Sequence, residues 1–194
     1  MAKPHKQKHS GAGEFRIIAG QWRRRKLPIV VAEGLRPTPD RVRETLFSWL
    51  QPYLDGAKCL DLFTGSGALA FEALSRGAQS IDMIESNPRV ANQLNANIRL
   101  LATEDASVHI MQAERFLRET QQTFDIVFID PPYDENLWAE TMQQVADAAI
   151  LADHSVIYFE QPGYIDQPEL PMGWQVLRSK KAAQVTFYLV GQES

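Results

Sequence analysis

The run Phe124-Asp-Ile-Val-Phe-Ile-Asp-Pro-Pro-Tyr133 constrains this chain more than any other stretch. Its apolar block reads as a strand buried on both faces of a parallel sheet. The strand then stops at Asp130-Pro131-Pro132-Tyr133. Two consecutive prolines donate no backbone hydrogen bond and hold φ near one value, so a rigid, extended turn follows whose carbonyls stay free as acceptors. A carboxylate, free carbonyls and an aromatic ring therefore stand together at a strand's carboxyl end, where open α/β sheets bind ligands. The same four residues could be no more than a stop signal. The residues upstream decide.

From Ala57 onward the sequence alternates strand and helix. Strands are expected over Lys58–Phe63, Gln79–Glu85, Ser107–Met111, Phe124–Asp130 and Ser155–Glu160, with helices over Ser66–Arg76, Pro88–Leu101, Ala113–Glu119 and Leu137–Leu151. Gln175–Leu177 and Gln184–Val190 read as a closing hairpin with Lys180-Lys181 at its turn. This pattern predicts an α/β fold, a doubly wound, mostly parallel seven-stranded sheet of the Rossmann-like kind.

The N-terminal part differs in character. Net charge is −4, but residues 1–43 carry +8 and residues 44–194 carry −12. A basic end on an acidic body points to a polyanionic partner. Residues 1–13 lack the apolar content to fold alone and are expected to form a disordered basic tail. Residues 14–52 read as a basic hairpin and helix, and 53–194 as the catalytic domain. Trp22 beside Arg23, Arg24, Arg25 and Lys26 is the aromatic and cationic mixture that stacks on bases and grips phosphates. Asp40 is placed to cap a helix over Arg41–Leu50, with Pro52 and Gly56 marking the join to the next unit. Arg41 and Arg43 in its first turn oppose the helix dipole, which suggests an outside anionic partner.

The first strand of the alternating unit runs into Asp61-Leu-Phe-Thr-Gly-Ser-Gly67. Gly65 and Gly67 let the backbone turn sharply into a helix whose free amides face a ligand. Glu85, 20 residues beyond Gly65, is placed to hydrogen-bond ribose hydroxyls. Such a loop alone also fits a dinucleotide site. Asp61 beside it, however, would repel a pyrophosphate and suits a ligand with a positive amine, such as S-adenosyl-L-methionine. The Asp130 turn points the same way, because an exocyclic amine is a poor nucleophile. Acceptors on its two hydrogens, here the Asp130 carboxylate and the Pro131 carbonyl, fix the nitrogen and favour charge developing on it, while Tyr133 stacks on the base.

With these motifs together, the chain resembles the class I S-adenosylmethionine-dependent methyltransferases that act on exocyclic amines. It is similar above all to the RsmD family of bacterial 16S rRNA guanine-N2 methyltransferases. The most specific segments are Gly20-Gln-Trp-Arg23, Leu35-Arg-Pro-Thr-Pro-Asp-Arg-Val-Arg-Glu-Thr-Leu-Phe47, Asp61–Gly67 and Asp130–Tyr133. The resemblance implies cofactor contacts from Asp61, Thr64, Gly65, Ser66, Gly67, Glu85, Gln112 and Ala113. It implies target contacts from Asp130 and Pro131, with Tyr133 placed to stack on the base; Trp22, Arg23, Arg24, Arg25, Lys26, Arg36, Arg41 and Arg43 are the candidate RNA-binding residues. The implied partner is 16S rRNA within the small ribosomal subunit. Two departures stand out: Gln112 replaces a shorter Asn or Asp expected near the adenine, and Arg24 replaces a usual glycine.

Cys59 is the sole cysteine, so no intramolecular disulfide can form and a reducing cytoplasm is expected. The four histidines are too scattered to form a zinc cluster with it. No run approaches a membrane span, and a monomer is expected. Competing readings are methylation of adenine N6 in nucleic acid or of a glutamine amide, a non-catalytic rRNA-binding assembly factor, and a nucleotide-dependent oxidoreductase.

Overall fold

The computed structural model describes residues 13–30, 38–131, 138–165, 168–182 and 184–192. Its strands are β1 (Gly13–Arg16), β2 (Lys26–Ile29), β3 (Lys58–Asp61), β4 (Ser80–Ile84), β5 (Ala106–His109), β6 (Phe124–Ile129), β7 (Leu151–Pro162), β8 (Trp174–Ala182) and β9 (Val185–Gln192). The helices are α1 (Asp40–Leu54), α2 (Ala68–Ser75), α3 (Pro88–Leu101), α4 (Ala113–Glu119) and α5 (Trp138–Asp147).

Seven strands form one sheet in the order β5-β4-β3-β6-β7-β9-β8. The first five pair in parallel, and β9 enters antiparallel between β7 and β8. Alternate residues of the central strands face opposite layers. Cys59, Met83, Ile126, Phe128 and Tyr158 pack toward α1 and α2, whereas Leu60, Ile84, Val127, Ile129 and Phe159 pack toward α4 and α5. That two-sided burial is why these strands read as apolar runs.

Four details depart from the sequence expectations. Helix α1 continues through Pro52 to Leu54, because Leu54 is buried and extends the apolar face of Leu46, Phe47 and Leu50. Asp40 is its first helical residue rather than its side-chain cap; its carboxylate turns to Arg43 Nη2 at 2.6 Å. Strand β7 begins at Leu151, not Ser155. Lys180 and Lys181 lie inside β8 rather than at a turn. The expectation of disorder falls on residues 1–12, outside the described residues, and Gly13 already belongs to β1.

The antiparallel β1–β2 hairpin is fastened to the second half of α2. Fully buried Glu72 accepts the backbone N–H groups of Ile18 (2.8 Å) and Ala19 (3.1 Å). Ser75 contributes its carbonyl to Gln21 N–H at 2.7 Å and its hydroxyl to Trp22 N–H at 3.0 Å. Approach is so close that a Cβ on Gly20, whose φ is +81°, would lie 1.6 Å from the Ser75 oxygen. Only glycine fits there.

Candidate active site

The carboxyl rim of the sheet carries an acid on each of four neighbouring strands: Glu85 just beyond β4, Asp61 ending β3, Asp130 just beyond β6, and Glu160 in β7. Strand registers put all four on the face shared with α1 and α2.

Asp61 leads into a loop shaped by two left-handed glycines, Gly65 (φ 51°) and Gly67 (φ 78°). A Cβ on Gly67 would sit 2.6 Å from the Phe71 ring and 2.8 Å from Leu94, so the tight entry into α2 requires its absence. Thr64 Oγ1 donates to the Asp61 carbonyl at 3.0 Å, and Ser66 Oγ accepts the Ala68 N–H at 3.3 Å. Glu85 organises the same loop from across the strand gap. Its two oxygens accept the N–H groups of Gly65 (3.1 Å) and Asn87 (2.7 Å). Each carboxylate oxygen retains a lone pair for a ligand hydroxyl. Gln112 is exposed and makes no cap with its side chain, while Ala113 behind it is buried.

Asp61 is 2% exposed, and burial, with a smaller push from Glu85, raises its carboxyl to about 7 against the pull of a Phe63 backbone hydrogen bond. No cation among the described residues lies within ion-pair distance of it. Asp130 is also held well above the usual carboxylate range, first by burial, then by the charges of Glu160 and Asp61. Pro131 is buried beside it, and Tyr133 lies outside the described residues. Buried Glu160 accepts the Tyr158 hydroxyl. These two residues were missed in the sequence, although Glu160 repeats the pattern of an acid closing an apolar strand. The Cys59 thiol, buried in the same layer, is pushed upward by burial and is no nucleophile. Among the described residues, no three His, Cys, Asp or Glu side chains are grouped to hold a metal.

The cations separate into two kinds. Arg23, Arg24, Arg25, Lys26 and Arg41 are exposed. Arg25 donates to the Leu100 carbonyl and Lys26 pairs with Glu14. Trp22 is half-buried against the core, so only part of its ring faces outward. Arg36 lies outside the described residues. Arg43 corrects the expectation of an outside partner. It is fully buried, with Nη1 3.4 Å from Glu72, Nη2 2.6 Å from Asp40, and further bonds to the carbonyls of Arg16 and Thr38. The anions that offset its place in the first turn are internal. A cleft of about 380 Å³ beside it, lined by Phe15, Arg16, Lys26, Thr38 and Asp40 among others, shares no lining residue with the acidic rim.

Comparison with known proteins bears on this geometry. A family model described as "Conserved hypothetical protein 95" matches residues 15–191. The chain is 46% identical to ribosomal RNA small subunit methyltransferase D of Escherichia coli (strain K12), covering 100% of this chain and 96% of that one. It is 43% identical to the protein of the same name from Haemophilus influenzae, covering 94% and 96%. The solved structure of yhhF from Escherichia coli superposes with a TM-score of 0.85 at 42% identity, covering 94% of this chain and 99% of that one.

Proposed function

The chain belongs to the ribosomal RNA small subunit methyltransferase D (RsmD) family, and from that premise we propose that it methylates the exocyclic N2 of one guanine of 16S rRNA within the small ribosomal subunit. At the coarser level it is an rRNA methyltransferase of that family. The observation that supports amine methylation is the convergence of Asp61, Glu85 and Asp130 on one rim and one face of the sheet, and the choice of guanine N2 follows the family resemblance.

The residues present fit S-adenosylmethionine. A buried carboxylate with no cationic partner among the described residues suits its ammonium group, and Glu85 retains acceptor capacity for its ribose. When bound, that cofactor supplies a methyl group activated by a sulfonium.

The chain's own residues then handle the target amine. Asp130 accepts one N2–H and the Pro131 carbonyl the other, which aims the nitrogen lone pair and favours positive charge on it. Once methylated, the nitrogen is strongly acidic and loses its proton to Asp130 or to water. Tyr133 is assigned to stacking on the base from sequence alone. The exposed cations of the β1–β2 turn hold phosphates. An unpaired guanine reaches such a site at small unstacking cost. The site of action is the cytoplasm.

Asp130→Ala tests the assignment. Turnover is expected to fall by about 10² to 10³ or more, with the cofactor dissociation constant unchanged; equal loss of both would remove Asp130 from the target site.

A further inference from the structure

The body beyond residue 43 is strongly acidic, with nine Lys and Arg in all, yet Arg178, Lys180 and Lys181 crowd into four consecutive positions of edge strand β8. No acidic residue occurs in β8. Among the described residues no carboxylate lies within ion-pair distance of these three cations. Among the described residues they hydrogen-bond neutral oxygens: Lys180 Nζ donates to Thr45 Oγ1 at 3.2 Å, Lys181 Nζ to the Gly163 carbonyl at 2.8 Å, and Arg178 Nη1 to the Leu177 carbonyl at 2.8 Å.

Strand register puts this charge beside the chemistry. Ile129 pairs with Phe159, so Asp130 stands level with Glu160; Glu160 pairs with Phe187, and Phe187 with Lys180. Asp130 and Lys180 thus occupy one row, three interstrand steps or about 14 Å apart. Lys180 shares the face of Phe187 and meets α1 at Thr45, whose hydroxyl also donates to the carbonyl of exposed Arg41. Lys181, on the opposite face, sits against the turn that follows β7. The β1–β2 turn is held instead by the C-terminal ends of α2 and α3, at the opposite edge of the sheet from the acidic rim.

We infer that β8 is a second RNA grip, in which Lys180 and Lys181, with Arg178, bind phosphates flanking the target nucleotide. The basic hairpin turn stands at the far ends of α2 and α3, so β8 is the cationic element level with Asp130, and it holds the RNA backbone beside the base that enters the rim. This rests on the rRNA methyltransferase reading. The competing explanation is that lysines on an edge strand only prevent pairing with other sheets.

The test is the double variant Lys180→Gln/Lys181→Gln in the full chain, measured on small ribosomal subunits lacking the modification. Affinity should fall and the slope of log affinity against log salt flatten by about 0.7 to 0.9 for each phosphate no longer held. KM should rise with little change in kcat, the cofactor dissociation constant should hold, and Lys180→Arg/Lys181→Arg should restore binding. Arg115→Gln/Arg118→Gln on the exposed face of α4 removes the same charge elsewhere. An unchanged slope in the β8 pair, or equal flattening in the α4 pair, would overturn the inference. In the wild type, acylation of Lys180 and Lys181 should be blocked by subunit binding; undiminished acylation would overturn it without recourse to a variant. A wild type that neither binds nor methylates RNA would instead sink the underlying reading.

Discussion

Arg43 Nη1 lies 3.4 Å from Glu72 Oε2, and both side chains are sealed from solvent. The pair joins the start of α1 to the middle of α2, the helix that begins at the cofactor loop and ends against the basic hairpin. Glu72 serves four partners at once: two hairpin amides, Arg43, and Arg76 Nε at 2.6 Å. It therefore positions the hairpin relative to the rim.

Removing one member of this buried network leaves its partner uncompensated. Arg43→Ala should cost about 3 to 5 kcal/mol, and Glu72→Gln should free the hairpin for proteolysis near Gln21. Thermal melts and limited digestion check both. A melting temperature and cleavage pattern like those of the wild type would show that the network does not hold the hairpin.

Arg24 has a φ of 69°, a left-handed conformation that disfavours any side chain. Arg24→Gly relieves that strain while giving the unfolded chain more freedom, so stability should rise by no more than about 1 kcal/mol. RNA affinity should fall if the guanidinium touches phosphate. Denaturant titration and RNA binding at several salt concentrations separate the effects; a destabilised variant would contradict the strain argument.

Asp61 makes both stability and cofactor affinity depend on pH. Its folded carboxyl, raised from 3.8 to about 7, binds more protons than the unfolded one between those values. Stability of the cofactor-free protein from this group is therefore fullest below about pH 4 and falls as pH rises toward 7. Binding of an ammonium favours the ionised form, so S-adenosylmethionine affinity should rise up to about tenfold per unit below pH 7 and level off above it. Calorimetry across pH 5.5 to 8.5 reads this, and Asp61→Asn should flatten the profile. A flat wild-type profile would rule out Asp61 as the ammonium's partner.

Much of this was legible because the central strands are buried on both faces. Phe124–Ile129 and Lys58–Asp61 announce themselves as apolar runs closed by an acid, and Pro88–Leu101 begins at the proline after Asn87, whose side chain accepts the Arg89 N–H. What escaped depended on contacts distant in sequence. Arg43 resembles any exposed cation at a helix start until Glu72, 29 residues away, is brought beneath it. Lys180-Lys181 reads as a turn because its strand is exposed along one edge and lacks an apolar pattern. Glu160 carried the same signal as Asp61 and Asp130, an acid closing an apolar run, but no motif drew attention to it.

The most direct test is transfer of labelled methyl from S-adenosylmethionine to small ribosomal subunits lacking the native modification, followed by digestion and nucleoside identification. The account predicts that the label appears in N2-methylguanosine of 16S rRNA. Label in N6-methyladenosine or another nucleoside, or no label from protein that demonstrably binds the cofactor, would contradict it.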